Sequence, residues 1–143
     1  RILSDEEAQR LLSGLAGEKT RQVEDEEERH QRAVKVLGET LARAKWVEED
    51  KTKEVLEPVM KRLAAQYLVK ERRRGLALDP VANFHLRNGA AVHRINWLGN
   101  CFPYGLDQSA SLMVNYWYDL DSVEKNNEQY ILHGEIASSP LVS

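Results

Sequence analysis

The chain reads as an α+β fold, with helices first and a small antiparallel strand pair later. Three observations predict it. Residues 1–74 hold 33 of the 43 charged side chains, whereas residues 75–143 hold 8 of the 10 aromatics. Apolar residues recur at helical spacing through the first part, and two segments of the second alternate with the period of a strand. The composition, 42% hydrophobic and 30% charged over 143 residues, is that of a globular domain. Neither an internal repeat nor a Gly/Ser or Pro linker divides the halves. That predicts one structural unit made of a helical segment (1–74) and a mixed segment (75–143).

Ser4-Asp5-Glu6-Glu7 has the form of a capping box, so a short helix starts there. Leu11, Leu12 and Leu15 form its apolar stripe, and Gly14 and Gly17 are expected to end it. A second helix is expected from Val23 to Ala44, with Val34, Leu37, Leu41 and Ala44 at core spacing. The acidic run Glu24 to Glu28 falls in its first turns, where carboxylates suit the positive end of the dipole. Five adjacent carboxylates on a helix point in different directions, so this is a solvated face rather than a cation site. The third helix presents one wide apolar face, from Val55 and Leu56 through Val59, Met60, Leu63 and Ala64 to Tyr67 and Leu68. Pro58 must either kink this helix or lie close to its start. The basic run Lys70 to Arg74 falls at its C-terminal end, where cations suit the dipole; anion binding by Arg72 to Arg74 is the alternative.

Beyond Pro80 the period changes. In Ala91 to Trp97, Val92, Arg94 and Asn96 alternate with His93, Ile95 and Trp97. In Leu112 to Leu120, Leu112, Val114, Tyr116, Tyr118 and Leu120 alternate with Met113, Asn115, Trp117 and Asp119. Both read as strands. The link 98–111 is long enough to hold a short helix. A last helix is expected from Ser122 to Tyr130, capped by Asp121 or Ser122, with a loose tail after His133. Two strands alone are marginal, so further sheet partners are expected upstream of Arg1.

Several classes are excluded. With a formal net charge of -3 the chain has no cationic field for nucleic acid or an anionic bilayer. No run of 18 apolar residues can span a membrane. The single cysteine, Cys101, forms no internal disulfide and no thiolate metal site, and a reducing, cytoplasmic setting is the default. Gly14-Leu-Ala-Gly17-Glu-Lys-Thr20 lacks the spacing of a phosphate loop. Metal-binding histidine pairs, dinucleotide fingerprints and nucleophile elbows are likewise absent. Chemistry without metal or cofactor, or no chemistry, remains.

The densest stretch of reactive residues is Asp79-Pro-Val-Ala-Asn-Phe-His-Leu-Arg-Asn-Gly-Ala90. His85 stands between Phe84 and Leu86, just before a turn. Apolar surroundings there would favour the neutral, proton-shuttling imidazole. By itself such a histidine is more often structural than functional. His93 on a strand, and His30 and His133 in polar surroundings, carry weaker signals.

That stretch, together with Arg94-Ile-Asn-Trp97 and Leu112-Met-Val-Asn-Tyr116, closely resembles the C-terminal part of malonyl-CoA decarboxylases. The resemblance is densest over 75–120 and thinnest over 18–33. It implies that the whole of 1–143 is the C-terminal portion of a catalytic domain of the acetyltransferase-like (GNAT) fold. It also implies conversion of malonyl-CoA to acetyl-CoA and carbon dioxide with no cofactor, in an enzyme expected to be a homo-oligomer. His85, in a Phe-His-Leu motif, and Tyr118, the second tyrosine of Asn-Tyr-x-Tyr, match the family's catalytic histidine and active-site tyrosine. Asn83, Asn88 and Asn115 are weaker candidates for shaping the substrate pocket. The family's catalytic serine and main coenzyme-binding loop belong to segments preceding this chain, and no serine here takes that role. Arg87, His93 and Cys101-Phe102 fall where variation within the family is expected. The C-terminus lacks the peroxisomal Ser-Lys-Leu signal, and a mitochondrial or peroxisomal setting stays open for a eukaryotic member. The competing readings are an acyl-CoA N-acyltransferase of the same fold and a non-catalytic helical interaction module.

Overall fold

A computed structural model describes residues 2–17, 25–97 and 112–142. It is α+β, with five α-helices and two small antiparallel strand pairs among the described residues. Its contacts divide it into two compact units, the first ending at Met60 and the second beginning at Lys61. The division falls upstream of the compositional change at 74/75, because residues 64–77 pack into the core of the second unit.

In the first unit, α1 (Asp5–Ala16) opens with a complete capping box. The Glu7 amide donates to Ser4 Oγ at 3.1 Å, and the Ser4 amide donates to Glu7 Oε1 at 2.9 Å. Gly17 ends the helix in the left-handed region, as expected. Gly14 does not end it: the position lies inside α1, where a Cβ would collide with the Val55 side chain. Helix α2 (Glu26–Ala42) is capped by Asp25 and ends two residues before the periodicity predicts, while the expected start at Val23 lies outside the described residues. Its buried positions are Ala33, Leu37 and Thr40, so the core face is centred away from Val34 and Leu41. The Thr40 hydroxyl donates to the Val36 carbonyl at 2.8 Å, which lets a polar side chain occupy that face. Helices α1 and α2 pack together around Leu11, Leu12, Ala33 and Leu37, and an Arg29–Asp5 ion pair of 2.8 Å joins them. The His30 ring accepts from the Leu3 amide at 3.3 Å, a structural use of that histidine. A 3-10 turn (Ala44–Glu48) then buries Trp46. The following α3 (Asp50–Ala65) runs through Pro58, which is exposed and eight residues from the start; only the amide that would bond the Glu54 carbonyl is lost.

Residues Gln66–Lys70 widen into a π turn, closed by the Glu71 amide on the Gln66 carbonyl at 3.0 Å. Lys70 thus sits in the last turn, as expected, whereas Arg72 to Arg74 lie beyond the helix end. Arg72–Arg73 (β1) and Leu76–Ala77 (β2) form a hairpin in which Arg72 faces Ala77 and Arg73 faces Leu76. Arg74 and Gly75, at φ 55° and 82°, make its two-residue turn, a left-handed pair of the type that matches strand twist.

The segment around His85 is a helix, α4 (Pro80–Arg87), which ends just before the expected turn. Asp79 caps it, accepting from the Ala82 amide at 2.8 Å, and Pro80 takes the first position, where its missing N–H costs nothing. Strands β3 (Ala91–Asn96) and β4 (Met113–Trp117) pair antiparallel. His93 is an extra residue in this ladder, since Val92 faces Tyr116 while Arg94 faces Asn115. This bulge overturns the expected alternation: Val92 and Ile95 are both buried although three residues apart. The link 98–111 lies outside the described residues.

Helix α5 (Val123–His133) starts at the expected cap, yet the Ser122 hydroxyl donates to Asp119 at 3.0 Å instead of capping the helix. Nor is the tail after His133 loose. The Val92 amide donates to the Ala137 carbonyl at 2.8 Å, the Ser139 amide donates to the Val92 carbonyl at 2.9 Å, and Val142 is buried. A strand edge with unmet backbone groups recruits such a segment even where its sequence has no strand pattern. Tyr130 of α5 sits in the core at 1% exposure, donating to Asn83 Oδ1 at 2.6 Å and accepting from the Ala77 amide at 2.8 Å. Tyr130→Phe leaves both partners unpaired, and a loss of about 1–3 kcal/mol is expected in urea unfolding.

Candidate active site

The cap at Asp79 sets where α4 begins, and its sixth residue, His85, comes to lie beside Tyr116 of β4. Leu86, 1% exposed, anchors the helix in the core, while Phe84 next to it is 62% exposed. His85 is thus half-buried rather than enclosed by apolar neighbours on both sides. Its Nδ1 lies 2.7 Å from the Tyr118 hydroxyl. Its ring stacks on Tyr116, with centroids 4.2 Å apart and planes 19° from parallel, and meets Phe84 edge-on at 5.3 Å.

An open groove of about 520 Å³ lies here, lined by His85, His93, Val114, Asn115, Tyr116, Trp117 and Tyr118. The structure therefore brings His85, Tyr118 and Asn115 to one groove. Asn83 and Asn88 are placed differently. Asn83 is engaged by Tyr130, and the Asn88 amide group donates to the Phe84 carbonyl at 2.8 Å at the end of α4. Four groove residues lie beyond the sequence candidates: His93, Val114, Tyr116 and Trp117. Tyr116 was detectable, because strand alternation puts it on the same side as Tyr118. The bulge that changes the setting of His93 leaves no such mark.

Burial, reinforced by the charge of Asp79 and by Tyr118, pushes the Tyr116 hydroxyl up to about 12 from its ordinary 10.0. Tyr67 is also raised, by burial first, then by the charge of Asp79 and a hydrogen bond to it. A folded value above the unfolded one stabilises fully below the unfolded value, and that contribution is lost as pH rises through the folded value. Stability in urea is accordingly expected to fall between pH 10 and 12, less steeply in Tyr116→Phe than in the unsubstituted chain. No group of three or more histidine, cysteine, aspartate or glutamate residues is arranged to hold a metal ion among the described residues. None of their helices is long and apolar enough to cross a membrane.

Fold and groove together define the class: an α+β domain in which a short capped helix and a two-stranded sheet hold a histidine–tyrosine pair beside an open groove. Residues 5–143 match the family described as the malonyl-CoA decarboxylase C-terminal domain, and the chain belongs to that family. It is 42% identical over 106 residues to the goose (Anser anser anser) protein "Malonyl-CoA decarboxylase, mitochondrial", covering 74% of this chain and 21% of the relative. The mouse (Mus musculus) protein of the same name is 43% identical over 102 residues, covering 71% of this chain and 21% of its own length. Among solved structures, malonyl-CoA decarboxylase from Rhodopseudomonas palustris aligns with a TM-score of 0.70 at 42% identity, over 73% of this chain and 24% of that one. The Agrobacterium vitis enzyme aligns with a TM-score of 0.69 at 33% identity, over 93% of this chain and 30% of that one. The chain thus spans about a fifth of the length of these curated relatives.

Proposed function

We propose that this chain is the C-terminal portion of the catalytic domain of an enzyme that converts malonyl-CoA to acetyl-CoA and carbon dioxide. The observation that carries the reading is the family match over 5–143, which includes the helix that bears His85 and Tyr118 just past the end of β4. An acetyltransferase-like fold for the complete domain, a homo-oligomeric assembly and a cytoplasmic setting belong to the same reading; mitochondria or peroxisomes stay open for a eukaryotic member.

The chemistry is within the reach of such groups. The bond between the carboxylate carbon and C2 breaks, carbon dioxide leaves, and the electron pair passes into the thioester as an enolate. A proton then adds to C2 to give the acetyl group. The thioester carbonyl is the electron sink, so the protein has to desolvate the carboxylate, hydrogen-bond the enolate oxygen and supply the proton. His85 handles that proton, acting with a serine that the family resemblance assigns to a segment outside this chain. With Nδ1 engaged by Tyr118, Nε2 is the ring nitrogen left for the reaction. When the Tyr118 hydroxyl donates to Nδ1, Nε2 carries the hydrogen and the imidazole is set to act as an acid. Asn115 lines the groove and is available to a polar part of the substrate, as weaker candidates go; Asn83 and Asn88 would act only by holding α4.

The complete polypeptide is tested with malonyl-CoA while carbon dioxide and acetyl-CoA are both followed. Equal release of the two supports the reading. Consumption of acetyl-CoA only when an amine is added would replace it with N-acyl transfer.

A further inference from the structure

We infer that Tyr116 is a positioning residue for His85, a ring platform that fixes the plane of the imidazole so that Nδ1 meets Tyr118 and Nε2 is presented to the groove. The inference rests on the proposed role of His85 and adds what holds that side chain in a reactive pose.

An imidazole on a half-exposed helix face has two loose torsions, and a single hydrogen bond leaves the ring free to tilt about it. Here two restraints act at right angles. The Tyr118 hydroxyl, 2.7 Å from Nδ1, fixes which edge of the ring points toward β4. The face of Tyr116, 4.2 Å away and 19° from parallel, fixes the plane. Tyr116 can serve as a platform because its own backbone is held: it sits opposite Val92, which is 0% exposed, beside the His93 bulge. Tyr118 lies just beyond the end of β4 and has no ladder partner. A side chain mounted on a paired strand position is more sharply placed than one past the strand end.

Asp79 ties the two elements together. Its carboxylate caps α4 through the Ala82 amide at 2.8 Å, accepts from the Tyr67 hydroxyl and presents its charge to Tyr116. The same carboxylate thus sets the start of the helix bearing His85 and adds to the burial that raises the Tyr116 hydroxyl.

The test uses the complete polypeptide with Tyr116→Phe, which keeps the ring, and two ring-free variants, Tyr116→Met and Tyr116→Leu. Two readouts are taken: kcat and KM for malonyl-CoA, and the ring-nitrogen NMR shifts of ¹⁵N-histidine-labelled protein, with the His85 signals assigned by His85→Gln. Tyr116→Phe is expected to preserve both readouts. Ring-free variants that keep the native urea midpoint are expected to lower kcat by about 10- to 100-fold with KM little changed, as misplacement of a reacting group does. Their His85 nitrogens are expected to move toward tautomer averaging. Unchanged His85 shifts in a folded ring-free variant would overturn the inference. Averaged shifts with undiminished kcat would uphold Tyr116 as the platform and instead remove His85 from the proposed chemistry.

Discussion

His85→Ala in the complete polypeptide is expected to lower kcat for malonyl-CoA by about 10²–10⁴-fold, the range that positioned proton-transfer groups supply. Its melting temperature should scarcely move. His85 is half-buried, its side-chain hydrogen bond goes to a hydroxyl that is itself accessible to water, and the core contacts of α4 come from Ala82 and Leu86. Removing the imidazole therefore leaves no enclosed polar group unpaired, the usual source of large destabilisation. The contrast between a large kinetic effect and a small stability effect is the informative part. A parallel fall in both would mean that the ring serves packing, and full activity would mean that another group handles the proton.

The second large effect falls on stability. Gly89→Ala is expected to cost about 3 kcal/mol or more, since a left-handed residue costs about 1–2 kcal/mol and an overpacked contact about 1–3 kcal/mol. Gly89 sits at φ 89° between α4 and β3, and a Cβ there would run into the Val123 carbonyl oxygen and side chain at the start of α5. The obstacle is backbone, which cannot swing aside as the end of a long side chain does. Its neighbourhood is tightly joined: Asn126 donates to the Gly89 carbonyl at 3.2 Å, and Asn127 donates to the Arg87 carbonyl. Pushing α5 away would strain these bonds and the Tyr130 contacts on the same helix. Urea unfolding measures the loss, and a change below about 0.5 kcal/mol, the ordinary size for a surface substitution, would show that the turn can relax.

How far the sequence revealed this fold depends on whether local chemistry or tertiary contact decides each element. The capping box at Ser4, the Gly17 terminus and the period-two pattern of β4 are local, and each is legible. Helix α4 carries an equally local signal in Asp79-Pro80, a cap followed by a first-turn proline, but the reactive residues after it draw attention to the turn instead. The Arg74-Gly75 hairpin hides because arginine seldom occupies a left-handed position and the preceding helix pattern runs straight into it. The ordered tail is illegible for a different reason: its place is set by backbone groups of Val92, which no side-chain pattern reports. The same division holds at the groove. His85, Tyr118 and Asn115 come from the family resemblance and share the groove; strand alternation places Tyr116 on the side of Tyr118, but its stacking on His85 is a tertiary contact that no local pattern reports.

The most direct measurement is turnover of malonyl-CoA by the complete polypeptide and by its His85→Ala variant in deuterated water, with acetyl-CoA read by mass spectrometry. Protonation of an enolate from exchangeable groups predicts a single deuterium in the acetyl methyl group, formed by the unsubstituted enzyme and slowed by about 10²–10⁴-fold in the variant. Equal rates from the two proteins, or malonyl-CoA consumed without acetyl-CoA, would contradict the account.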